Sequence, residues 1–145
     1  MSHQADSYLF FNGNCAEAMR FYEKTLGGKI GMMMTHAQMP QAPGAPPLPP
    51  GNADLVMHAR LELDGRAVMA SDWLSPNEPY PGMHGFSLSL VYPTVAEANK
   101  VFAALAEGGK VTMPMQKTFW VEAFGMLVDR YGTPWMVNGG APAAM

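Results

Sequence analysis

Hydrophobic and polar residues alternate with period two through residues 56–63, where Met57, Ala59, Leu61 and Leu63 interleave with Val56, His58, Arg60 and Glu62. Such a strand has one face to pack beneath a helix and one to present on the opposite, concave side of a sheet. Phe86, Leu88 and Leu90 alternate with Ser87, Ser89 and Val91 in the same way. Two other stretches follow helical spacing instead: Cys15, Met19, Tyr22 and Leu26 form one apolar stripe, and Ala98, Phe102 and Leu105 form a second. Asn14 with Glu17 and Thr94 with Glu97 stand at capping-box spacing ahead of these helices. The pattern predicts helices over 15–26 and 95–107, and strands near 7–13, 28–35, 54–63, 66–72, 84–92, 110–118, 121–129 and 134–138.

The chain also repeats itself. Ala16-Glu17-Ala18 recurs as Ala96-Glu97-Ala98, 80 positions later, and Gly27-Gly28-Lys29-Ile30 recurs as Gly108-Gly109-Lys110-Val111, 81 positions later. Each Gly-Gly pair supplies the positive φ that ends a helix and turns the chain into a strand. A strand, a helix and three strands, twice over, predict an α+β fold. Two βαβββ modules, 6–75 and 83–139, would form curved, mostly antiparallel sheets around a cup, with helices outside, in a single domain of residues 1–145. The stretch 72–83, with Pro76, Pro79, Pro81 and Gly82, reads as the linker. The proline-rich stretch 36–53 has no counterpart in the second half and cannot join a sheet ladder. It is a surface loop, a lid, or an arm that contacts a partner.

Composition narrows the function. At 145 residues the chain buries a core without disulfides or a structural metal. Only 14% of residues are charged against 48% hydrophobic, which is thin for a monomer and points to a buried subunit interface, hence a homodimer. A formal net charge of -3 with scattered Lys and Arg offers nothing to a phosphate backbone, so nucleic acid is excluded as a partner. No positive segment followed by a long apolar run begins the chain, and no stretch approaches the ~20 apolar residues of a membrane span. The expectation is a cytoplasmic protein with no membrane partner. The single cysteine, Cys15, packs as a small apolar side chain.

The runs YLFFNGNCAEAMRFYEKTLGGKI, MHARLELDGRAVMASDW and FWVEAFGMLVDRYGTPWMVN resemble the PhnB-like branch of the vicinal oxygen chelate superfamily, which holds glyoxalase I, bleomycin-resistance proteins and extradiol dioxygenases. The resemblance extends from Tyr8 to Asn138. It implies a cup commonly completed by a second subunit and, in the metalloenzyme members, a divalent ion held by His and Glu at equivalent places in the two modules. Carried over, those places fall near Ser7, Met69, Ser87 and Met136, none of which is His, Asp or Glu. Hydroxyls and thioethers are poor ligands for such ions, so the resemblance implies no metal and no cofactor here. Members of this branch often carry a demethylubiquinone methyltransferase label, but no Gly-rich loop for S-adenosylmethionine occurs.

The candidate chemistry lies on the polar face of 56–63 and among the aromatics. His58 is a general base or pocket hydrogen bonder, or else a histidine contacting a neighbouring strand. Arg60 suits a carboxylate or phosphate on a ligand, while Glu62 either joins it there or pairs with it and silences it. Trp73 and Trp120, flanked by polar residues, are candidate stacking surfaces; Trp135, beside Met136 and Val137, reads as core. Ser87 is a further candidate on the concave face. Met32, Met33, Met34, Met113 and Met115 either line an apolar pocket or fill gaps. Asp129 and Asp64 shape turns.

Two main functions follow. The first is a small-molecule-binding protein without a metal. The alternative is a metal-dependent lyase, dioxygenase or antibiotic-modifying enzyme in which His58 and Glu122 act, with Glu62 and His84 as further ligands for zinc, iron, manganese or nickel. A third, a protein-interaction module, would use the proline-rich arm.

Overall fold

A computed structural model describes residues 2–39, 43–44, 51–75 and 77–142. Most of the proline-rich stretch, Pro76 and the last three residues lie outside them. The chain divides into two compact units, Met1–Gly82 and Met83–Met145. The first contains β1 (Ser7–Phe11), α1 (Cys15–Leu26), β2 (Lys29–Thr35), β3 (Val56–Leu63) and β4 (Arg66–Asp72); the second contains β5 (Leu88–Tyr92), α2 (Val95–Ala106), β6 (Lys110–Gln116), β7 (Val121–Val128) and β8 (Pro134–Pro142). Each unit is one βαβββ module of an α+β fold.

The sheets have the same plan. Strand order is β1-β4-β3-β2 in one and β5-β8-β7-β6 in the other. The first and last strands of each module pair in parallel, and the remaining pairs are antiparallel. A crossover through the helix makes the parallel pair possible, whereas the antiparallel strands need only short turns. Asp64, at φ 46, begins the two-residue turn that joins β3 to β4. Pro114 falls in β6, an outer strand with register shifts, where a missing N–H is tolerated.

The core of each unit lies between its helix and one sheet face. In the first, Cys15, Ala18, Met19 and Tyr22 of α1 are buried, as are Leu9, Phe11, Ala59, Leu61 and Ala70 of the sheet. Each large side chain among them contributes roughly 1.5–3 kcal/mol through burial. In the second, α2 buries Ala98, Phe102 and Leu105, the predicted stripe. Gly27 and Gly108 both have positive φ, 78° and 76°, but only Gly27 caps its helix; α2 ends on Glu107 in extended conformation, one residue before Gly108. A Cβ at Gly28 or Gly109 would collide with the backbone carbonyl of Glu62 or Val128.

Four details depart from the sequence pattern. Asn14 makes no capping hydrogen bond, and its Oδ1 is buried without a partner. Asp72 belongs to β4 and is buried, not part of a linker. Strand β5 begins at Leu88, four residues later than expected, so Ser87 precedes it. Strand β8 runs on to Pro142 because a bulge opposite Glu122 lets pairing with β7 resume at Val121. Among the described residues no helix is long and apolar enough to cross a membrane.

Candidate functional site

Strand β1 is an outer strand of the first sheet, and its residues alternate between faces. Leu9 and Phe11 are buried on the side of α1, while Tyr8 and Phe10 are 40% and 44% exposed. Register carries this open face across the sheet. Tyr8 stands opposite Met69, Met69 opposite Arg60, and Arg60 opposite Met32, while His58 stands opposite Met34. The alternation of 56–63 therefore places His58, Arg60 and Glu62 on the face away from α1. Val56 does not follow it: its side chain is buried beside a register shift, and its amide donates to Asp72.

Four rings form a continuous run on this face. The Tyr8 ring stacks on the His58 imidazole with centroids 5.7 Å apart, and its hydroxyl lies 3.2 Å from His58 Nδ1. Phe10 is tilted against Tyr8 at 5.2 Å and meets Trp73 edge-on at 5.6 Å. Both contacts lie within the favourable range for aromatic pairs. The backbone N–H of Trp73 donates to the Phe11 carbonyl and its indole N–H to the Glu78 carbonyl, so backbone and ring are both held. Tyr80 donates its hydroxyl to the Phe10 carbonyl at 2.7 Å, and burial raises its pKa above the usual phenol range. Folded proteins normally cover rings of this size, and a patch of them left open marks a contact surface.

Arg60 and Glu62 form the pair anticipated from their spacing, with Nε 3.3 Å from Oε1 and side chains 35% and 57% exposed. An exposed pair of this kind contributes at most about 1 kcal/mol. Arg60 Nη1 also lies 3.8 Å from the Met69 sulfur. Met32, Met34 and Met69 thus border the polar groups, while Met33 stands opposite buried Ala59 and Met115 packs with Phe102 against Gly125 as core filling.

The remaining candidates belong to the second unit. Trp120, in the connection from β6 to β7, meets Phe119 edge-on at 4.9 Å and Phe124 at 5.2 Å; Phe119 itself is 80% exposed. Glu122 Oε1 accepts the Ala141 amide at 2.7 Å across the bulge, beside Gly140 at φ 84. That carboxylate holds the end of β8. Trp135 is buried and donates to Asp129, which also accepts the amides of Tyr131 and Thr133. Trp135 is core and Asp129 builds the turn, as their neighbours suggested. Ser87 is half-buried ahead of β5.

Among the described residues, no three His, Cys, Asp or Glu side chains gather in a group that would hold a metal ion. His58 and Glu62 lie in one unit, and His84 and Glu122 in the other. The donors at the places where the resemblance puts metal ligands are two hydroxyls and two thioethers, a set that does not fit a hard or borderline divalent cation.

Tyr8 and Phe10 escaped the sequence reading. In SYLFF every second residue is large and apolar on both faces, so period two gave no sign of which face stays open. The signal lay one step away, in the polar face of β3, two strands over.

Residues 4–137 match the family model of the Glyoxalase/Bleomycin resistance protein/Dioxygenase superfamily. Protein YjdN of Escherichia coli is 34% identical over 136 residues, covering 90% of this chain and 91% of its own. The crystal structure of PA1353 from Pseudomonas aeruginosa has 45% identity and a TM-score of 0.85, covering 96% of this chain and 98% of that one. A PhnB protein of Bacillus cereus, also called a 3-demethylubiquinone-9 3-methyltransferase, has 26% identity and a TM-score of 0.74, covering 95% and 100%. In the present chain neither strand-to-helix turn, at 12–14 or 93–94, is a Gly-rich loop of the kind that holds S-adenosylmethionine.

Proposed function

The chain belongs to the glyoxalase/bleomycin resistance protein/dioxygenase superfamily, and from that premise we propose that it binds a small, partly aromatic molecule on the open face of its first sheet. The divalent ion of the metalloenzyme members has no part in this reading. Its chief support is the run His58–Tyr8–Phe10–Trp73, a set of rings held in place by strand register and hydrogen bonds, in which Tyr8 and Phe10 are exposed and His58 and Trp73 half-buried. A ligand ring laid on such a surface gains apolar burial and ring–ring contact without first ordering the protein. Methionines at its margin adapt to the ligand's outline. In the second unit Trp120 and the exposed Phe119 offer a further ring surface.

A metal-dependent enzyme acting through His58 and Glu122 has weaker support. One oxygen of Glu122 is engaged by the Ala141 amide, and the donor set at the superfamily's ligand places lacks a carboxylate or imidazole. We further propose a homodimer, on the strength of the low charged fraction.

The test is a fluorescence titration with 2-naphthylmethanol as a neutral ring probe, alongside metal analysis of protein purified without chelator. Trp73→Ala should weaken probe binding about fivefold, the equivalent of ~1 kcal/mol of ring contact. A stoichiometric divalent ion that disappears in His58→Ala would overturn the reading in favour of the enzyme.

A further inference from the structure

The open face of the first sheet is chemically lopsided. Phe10 and Trp73 make its apolar end; Tyr8, His58 and Arg60 make its polar end. The polar end contains a hydrogen bond that sets which ligands it accepts. Tyr8 Oη and His58 Nδ1 are 3.2 Å apart. A phenol is a stronger donor than acceptor because its lone pair is delocalised into the ring, whereas a neutral imidazole offers one basic lone pair. With a neutral imidazole, the Tyr8 hydroxyl donates to Nδ1 and the ring proton resides on Nε2. Nε2–H has no hydrogen-bond partner among the described residues.

Arg60 lies two residues along the same strand, on the same face, roughly 7 Å from His58 along the backbone. Its Nε is matched by Glu62 and its Nη1 approaches the Met69 sulfur, so Nη2 has no partner among the described residues. Glu62 is the carboxylate nearest in sequence on this face, and its Oε1 is bound to Arg60. The polar end thus offers N–H donors beside a ring platform, with one oxygen of its carboxylate engaged by Arg60. A neutral apolar ligand would strip water from those donors without replacing it, and a cation would meet the Arg60 guanidinium beside the one carboxylate of this strand face, Glu62. An oxyanion satisfies both donors through charge-assisted hydrogen bonds.

We infer that this face selects a planar aromatic molecule bearing a carboxylate, and that Tyr8 is a specificity-determining residue which fixes His58 as a donor. The inference rests on the proposed ring-binding role of the same face and adds the ligand's charge. The carboxylate meets His58 Nε2–H and the Arg60 guanidinium, and the ring lies along Phe10 and Trp73. Tyr8 acts through His58: without its hydroxyl, a larger share of the imidazole proton resides on Nδ1, and that share of the Nε2 atoms becomes an acceptor that repels the anion.

The experiment compares three probes on the full chain by NMR titration: 2-naphthoate, 2-naphthylmethanol and 2-naphthylmethylammonium. Naphthoate should bind at least tenfold more tightly than either of the others, with shifts at Tyr8, Phe10, His58 and Trp73. In Tyr8→Phe the ratio of naphthoate to alcohol affinity should fall, and the imidazole 15N spectrum of His58 should show a larger share of the Nδ1–H form. His58→Leu, which removes the donor without relying on Tyr8, should abolish the same ratio. Equal binding of all three probes would overturn the charge selection while leaving the ring-binding role intact. Absence of shifts at these residues with every probe would overturn both. A preserved ratio and tautomer in Tyr8→Phe would remove Tyr8 from the account. Signals of Tyr8 and Phe10 that change with protein concentration alone would give the face to a second copy of the chain and overturn the assignment.

Discussion

In the first unit the N-terminus of α1 is tied to the sheet by a carboxylate from another element. Asp72, at the end of β4, accepts the Cys15 amide through Oδ1 at 2.9 Å and the Val56 amide through Oδ2 at 2.8 Å. In the second unit α2 caps itself. Thr94 Oγ1 accepts the Glu97 amide at 3.1 Å and donates to the Glu97 carboxylate at 2.9 Å. Where β4 carries Asp72, level with Phe11, β8 carries Gly139, level with Tyr92, and the backbone there passes so close to α2 that a Cβ would meet Ala98. Identical topology is thus held together by a buried charge in one half and by close approach of backbones in the other. The difference shows that the repeat conserves where the elements go, not which interaction keeps them there.

The largest effect should come from removing the buried charge. Asp72→Ala leaves two amides without their acceptor at a site closed to water, and should destabilise the protein by about 3 kcal/mol or more in urea unfolding. If the loss is under ~1 kcal/mol, the first unit is not anchored through Asp72. Gly139→Ala should come next, at about 1–3 kcal/mol by the same measurement, because the new methyl has to displace Ala98 or the start of α2. Thr94→Ala should lower stability by about 1 kcal/mol, whereas Asn14→Ala at the corresponding place should change it little, since Asn14 caps nothing. Equal losses at the two positions would erase the contrast between the units.

The smallest effect concerns pH. Burial first, and the charge of Asp72 second, push the Cys15 thiol from 9.0 up to about 12. The unfolded chain therefore releases this proton before the folded one does. Stability is complete below about pH 9 and declines as pH rises toward the folded value. Tyr80 and Tyr92 are raised by burial as well, so the measurement is the difference between the parent and Cys15→Ala. Cys15→Ala should flatten the decline by less than about 1 kcal/mol between about pH 8 and pH 9.5. An identical slope in both proteins would mean that the thiol is accessible at its helix.

Much of the fold was legible in the chain. Both helical stripes, the Gly-Gly pairs and the alternation of 56–63 lie within single elements, where a residue's face follows from its spacing to near neighbours. The Arg60–Glu62 pair was readable for the same reason, being two apart on one strand. The site was legible only in part. His58 was singled out because it stands amid an alternating strand on the face opposite the apolar set. Tyr8 and Phe10 were missed because both faces of β1 are apolar, and only pairing with β4 shows which side the helix covers. Glu122 looked like a free carboxylate until the bulge brought the Ala141 amide to it.

What the sequence determined by itself was therefore periodic and local: the number and order of elements and their duplication. What only the tertiary structure decided was the occupation of polar groups distant in the chain. Whether Asp72 anchors a helix, Glu122 closes a bulge or Tyr8 orients His58 depends on which amide or ring stands within hydrogen-bonding distance. That distance is set by strand register and helix packing between segments up to 57 residues apart in these cases, and spacing along the chain carries no record of it.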